Sequence, residues 1–166
     1  MSENIKTGTI SSEEDVARLI SSEWILGGIL QPVAFTLDEG ESYLSVNRPV
    51  VESYNADVAS FIKSHPLYVV NDNSYYRAML HVGDIRKVKA QVGETSLFAE
   101  VEVEPRDYHT KSHAGIFVRY QNMNVKRGKI LNIGHASEEL SSDTILLEIR
   151  TQLLDLATLE ECKVVK

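Results

Sequence analysis

The sequence predicts a single α+β domain in which antiparallel β-hairpins pack with about three helices. Three observations carry this expectation. Residues 87–103 hold two runs of strict two-residue alternation around a glycine turn, and 141–156 repeats its apolar residues every three or four positions. No internal repeat, heptad run or low-complexity linker divides the 166 residues. Apolar residues make up 43% and charged residues 25%, an ordinary globular balance that supports one core.

Residues 1–10 are polar and aperiodic and are expected to form a flexible leader, with the single α+β domain over 11–166. Ser11 and Glu14 have capping-box spacing, and Val16, Leu19, Ile20 and Trp24 recur at helical intervals, which predicts a helix over 12–22. Gly27 and Gly28 interrupt it, and Pro32 prevents a simple continuation. Short β-like runs at 33–37 and 42–46 suggest a hairpin around a turn at 38–41. Asn55 is placed to cap a second helix, which carries Val58, Phe61 and Ile62 on one face and ends before Pro66. Residues 67–70 read as a short buried strand, 71–74 as a turn and 75–82 as another strand.

The hairpin at 87–103 is the most specific local expectation. Val88, Ala90 and Val92 alternate with Lys87, Lys89 and Gln91, and Ala99, Val101 and Val103 alternate with Glu100, Glu102 and Glu104. A four-residue turn at 93–96 would set Val92 against Leu97, Lys89 against Glu100 and Lys87 against Glu102. A slip of one residue would lose every such pair. Ile116, Phe117 and Val118 read as a buried strand. In the last helix Ile145, Ile149, Leu153 and Leu156 form a stripe widened by Leu146, Leu147 and Leu154, so it is expected between two layers or under another subunit.

Charge and motif content narrow the function classes. Seventeen basic against twenty-four acidic side chains give a net charge of −7, which disfavours a general grip on DNA or an anionic membrane. Apolar runs fall short of a membrane-spanning helix. A lone cysteine, Cys162, excludes an internal disulfide, and a cytoplasmic setting is expected. Phosphate loop, G-x-S-x-G elbow, H-E-x-x-H and paired cysteines are all missing from the sequence, and no cofactor is expected.

Among five histidines, His109 and His113 are four apart, the spacing that brings two rings together on a helix. They are the candidate catalytic or metal-ligating pair, with Asp107 and His135 as candidate further members. His65 is better explained as a partner for the carbonyl end of its helix, and His81 as a residue on the polar face of a strand. A second constellation is electrostatic: between 106 and 129 stand Arg106, Lys111, Arg119, Lys126, Arg127 and Lys129 against Asp107 alone, interleaved with Tyr108, Phe117 and Tyr120. Arg119, Lys126 and Arg127 with Tyr108 or Tyr120 are therefore candidates for nucleic-acid or ligand binding. Residues 137–161 carry seven acids against Arg150, however, so mutual neutralisation or a homodimer interface accounts for the same charges. Solvated or paired roles also account for Glu100, Glu102 and Glu104; Arg48 could orient an anionic ligand but stands beside a proline turn, the 75–77 Tyr-Tyr-Arg run suits a strand as readily as a binding surface, and Cys162 would be reactive if exposed but has no adjoining histidine.

The leading expectation is a non-enzymatic interaction or accessory subunit with a protein partner or a second copy of itself. Alternatives are a histidine- or metal-dependent hydrolase or nuclease, and a nucleic-acid-binding module built on 106–129.

Overall fold

The computed structural model describes residues 10–37, 43–71, 73–92, 95–103, 110–120, 123–125 and 142–165. Strand β1 (Asp15–Ile20) stands where the sequence predicts a helix. The spacing of four between Val16 and Ile20 suits a strand face as well as a helix face, because four is a multiple of two. Val16 and Ile20 enter one core, while Ala17 and Leu19 enter a second on the opposite face. Burial on both faces erases the alternation that would mark a strand. Ser11 does not cap a helix; its hydroxyl accepts from the Glu13 N–H within a turn.

Seven strands form one antiparallel sheet in the order β10-β5-β1-β4-β8-β7-β6: β10 (Thr158–Lys163), β5 (Ser74–His81), β1, β4 (Tyr43–Asn47), β8 (His113–Tyr120), β7 (Thr95–Val103) and β6 (Lys89–Val92). A short β9 (Met123–Asn124) folds back on β8 beyond the end of β4. Helix α1 (Tyr54–Ser64) lies on one face; α2 (Val82–Ile85) and α3 (Ser142–Leu156) complete the α+β arrangement that the sequence predicts. The pairing thins at one place: β1 meets β4 at Ala17↔Asn47, whereas β1 and β5 pair from Asp15↔His81 to Ile20↔Tyr76.

The larger core lies on the α3 face, where Ile149 and Leu153 are buried against residues such as Leu44, Val118 and Leu97. Each such aliphatic side chain contributes about 1.5–3 kcal/mol on full burial. Leu147 and Leu156, on the same helix, keep part of their surface in solvent. Ile10, at the end of the expected leader, is fully buried in this core. The smaller core holds Tyr54, Val58 and Ile62 of α1 against Ala17, Leu19 and Tyr75.

Three further local expectations are corrected. Residues 33–37 pair with no strand: Pro32–Phe35 is a 3₁₀ turn started by its proline, and β4 pairs with β1 and β8 instead. The expected turn at 38–41 lies outside the described residues. Residues 67–70 do not form a strand, because Pro66–Tyr68 is also a 3₁₀ turn, fixed by the Trp24 and Phe61 rings that pack edge-on to Tyr68. The β6–β7 hairpin forms, but in a register two residues from the expected one, with Ala90↔Leu97 and Val92↔Thr95. A slip of two keeps every side chain on its face, so alternation alone does not detect it. β10 is a strand that the charges of Glu160 and Glu161 conceal in the sequence; it lies at the sheet edge, where polar side chains reach water.

Candidate functional site

Helix α1 has eleven residues, about 16 Å at 1.5 Å per residue, too short to cover the whole sheet. Beside it a groove of 520 Å³ opens onto β4 and the start of β8. Its wall includes Ser45 and Asn47 from β4, Asp57 and Ser60 from α1, and Thr110 and His113. One Asp57 carboxylate oxygen, Oδ2, accepts from Ser53 Oγ at 2.9 Å, Ser112 N at 3.1 Å and Ser112 Oγ at 2.6 Å. Asn47 Nδ2 donates to the same Ser112 hydroxyl at 2.9 Å. These bonds fix a carboxylate on the wall that His113 also lines, and they tie α1 to the residue before β8. His113 itself packs its ring near Tyr43, with centroids 5.9 Å apart.

Of the sequence candidates for catalysis or metal binding, His113 is thus on the groove wall. Asp107, His109 and His135 lie outside the described residues, as do Tyr108, Lys126 and Arg127. Among the described residues, no group of three or more His, Cys, Asp or Glu side chains is placed to hold a metal ion. The groove also includes His65, whose Nδ1 donates to the Phe61 carbonyl at 2.8 Å, the helix-end role that the sequence suggests. Asp57, Asn47 and Ser112 carry no local sign in the sequence; only the tertiary fold, which sets α1 beside the residues that end β4 and precede β8, brings them together.

Arg119 and Tyr120 are neighbours on β8 and project to opposite faces. Arg119 Nη1 lies 2.9 Å from Glu102 and its guanidinium sits over the Phe117 ring, whereas Tyr120 packs against the larger core. They therefore do not form one exposed stripe. Glu100 pairs with Arg86. The lysine partners that the sequence proposes for the β7 acids are replaced by two arginines from outside the hairpin.

No protein-family model, curated protein or solved structure matches this chain. Among the described residues no helix is long and apolar enough to cross a membrane.

Elsewhere several ionisable groups are tied into the fold. Arg77 donates to Glu160 at 3.0 Å and to the Tyr54 hydroxyl at 3.1 Å, and that hydroxyl lies 3.2 Å from Tyr75 Oη. Burial, with the Tyr54 contact second, pushes the Tyr75 phenol well above the tyrosine range. Burial also pushes the half-buried Cys162 thiol up. His81 Nδ1 lies 2.9 Å from Asp15 on the surface.

One surface is of the opposite kind. β2 (Ile25–Leu26) and β3 (Ile29–Leu30) form a separate hairpin around Gly27 and Gly28, whose φ angles of +60° and +80° suit the tight turn of such hairpins. The turn holds Leu26 and Ile29 out in solvent, 72% and 67% exposed. Trp24, at the base, meets Tyr68 with centroids 5.8 Å apart and so brings the turn bearing the exposed Leu67 toward the hairpin.

Proposed function

We propose that this protein is a non-enzymatic accessory subunit that docks onto a protein partner through the β2–β3 hairpin. The observation that carries this reading is the exposure of Leu26 and Ile29 on a tip held by two glycines. Large aliphatic side chains presented together in water favour burial in a partner. The tip is convex, so two copies meeting tip to tip would bury little area; a partner with an apolar cleft suits it better. The acidic net charge agrees with a partner that is a protein rather than a nucleic acid.

The test replaces Leu26 with a photo-crosslinking residue and exposes the full chain to extract of its native host. A single defined protein adduct, lost when Ile29→Ser is added, supports the reading. Absence of any adduct, or an adduct unaffected by Ile29→Ser at unchanged thermal stability, overturns it.

A second reading draws on His113 and Asp57 facing one groove, which suits acid–base or metal-assisted hydrolysis with Asp107, His109 and His135 as the remaining candidates. Stoichiometric Zn²⁺ uptake that disappears in both His109→Gln and His113→Gln favours metal-assisted hydrolysis. Unchanged uptake in those variants, or none in the wild type, removes the metal version.

A further inference from the structure

We propose that a pocket between α3 and the sheet binds a small aliphatic monocarboxylate, with Arg150 as its anion-binding group. The pocket measures 270 Å³, and its walls include Phe35, Leu44 and Val118. Taking roughly 30 Å³ for a water-sized group, it has room for about nine non-hydrogen atoms, the size of a medium-chain acid.

Arg150 is an unusual residue for this wall. Its neighbours three and four positions away on α3 are Leu146, Leu147, Leu153 and Leu154, so the helix offers it no carboxylate. Arg48, Arg77, Arg86 and Arg119 each meet an acid, whereas Arg150 meets none among the described residues. Its Nη1 donates to Thr36 Oγ1 at 2.9 Å, and its Nε is buried with no acceptor among the described residues. A buried N–H of a permanent cation is costly to leave unsatisfied, and a guanidinium can grip a carboxylate at two points. The aliphatic walls supply the matching site for a tail, and Thr36 holds the guanidinium in place. A neutral or cationic amphiphile of equal length would bury the same tail while leaving Nε unpaired, so charge, and not tail alone, decides the occupant.

The experiment is calorimetric titration of the full-length protein with octanoate, octanol, octylamine and acetate. Octanoate is expected to bind saturably at one site, at least about tenfold tighter than the other three, as befits a hydrogen bond to a charged group. Arg150→Gln should weaken octanoate at least about tenfold while leaving octanol unchanged, and Arg150→Lys should fall between. Leu147→Glu provides a second variant, since it gives Arg150 an internal carboxylate one turn away; it should fold at least as stably as wild type and no longer take up octanoate. Equal binding of octanoate and octanol, retention of octanoate by Leu147→Glu, or no saturable octanoate binding overturns the proposal.

Discussion

Arg48 and Glu14 form a two-point ion pair across the thinnest seam of the sheet. Arg48 Nε lies 2.5 Å from one carboxylate oxygen and Nη2 lies 3.0 Å from the other, with each side chain only 10% exposed. Glu14 immediately precedes β1 and Arg48 immediately follows β4, the two strands that pair at Ala17↔Asn47. Arg18 adds a bond across the same seam, from its guanidinium to the Ser45 carbonyl at 2.8 Å. Side chains thus join two halves of the sheet that the backbone joins only weakly.

Removal of one partner from that pair strands a buried charge. Arg48→Met is expected to lower the unfolding free energy by about 3–5 kcal/mol, and the double variant Arg48→Met/Glu14→Leu by clearly less than the two single losses added. Urea denaturation of the four proteins measures this cycle. Strict additivity would show that the two side chains act separately.

The β2–β3 turn tests backbone strain without any clash, because nothing lies within 4 Å of a Cβ at either glycine. Gly27→Ala and Gly28→Ala are each expected to cost about 1–2 kcal/mol, the penalty of the left-handed region for a side chain, and Gly27→Asn less. Thermal denaturation reads the cost, and amide chemical shifts of residues 24–31 show whether the hairpin has opened.

Gly115 faces the opposite constraint. A Cβ there would sit 2.5 Å from Cδ2 of Tyr43 and 2.9 Å from Cε1 of Phe117. These two rings have centroids 5.0 Å apart, so neither yields without disturbing the other. Gly115→Ala should destabilise by about 1–3 kcal/mol, with a changed near-ultraviolet circular dichroism spectrum. An unaltered spectrum with wild-type stability would mean that Tyr43 moves aside freely.

Alkaline pH should loosen the fold through Tyr75. The unfolded chain ionises this phenol at the ordinary value near about 10, while the folded chain retains the proton because of burial and the Tyr54 hydroxyl. Above that pH the unfolded state binds fewer protons, so stability falls as pH rises; the contribution is complete below about 10 and is lost beyond it. Melting curves recorded from pH 8 to about 11 should fall more steeply for wild type than for Tyr75→Phe. Parallel slopes would dissociate Tyr75 from the alkaline loss.

Cys162 should react slowly for the same physical reason. Burial raises its thiol pKa against the opposing pull of Arg77, leaving less thiolate near neutral pH. Its rate with a disulfide reagent at about pH 8 is expected below that of a small free thiol and should rise when the chain is unfolded in urea. Equal rates in the folded and unfolded chain would contradict this.

How much was legible in the sequence depends on how far apart the contacting residues lie. Helix α1, helix α3 and the β6–β7 hairpin are set by periodicity within a few turns or one loop, and the sequence reading finds all three. β1 reads as a helix because a strand buried on both faces lacks alternation, and its intervals of four imitate a helix. The hairpin register differs from the charge-paired expectation, and Arg86 and Arg119, not the facing lysines, take the acids of β7. In the groove, sequence analysis singled out His113 but not Asp57, since a carboxylate fifty-five residues from Ser112 gives no local sign of that hydrogen bond.

By itself, then, the sequence determined the fold class, the two longer helices and the alternation of β6 and β7, because these follow from local dihedral preference and the side-chain period. Tertiary structure alone decided that β4 joins β1 to β8, that Arg150 stands among leucines with no acid to meet among the described residues, and that Leu26 and Ile29 remain in water. Those outcomes rest on burial and charge pairing between distant segments, and no short window of sequence contains both sides of such a contact.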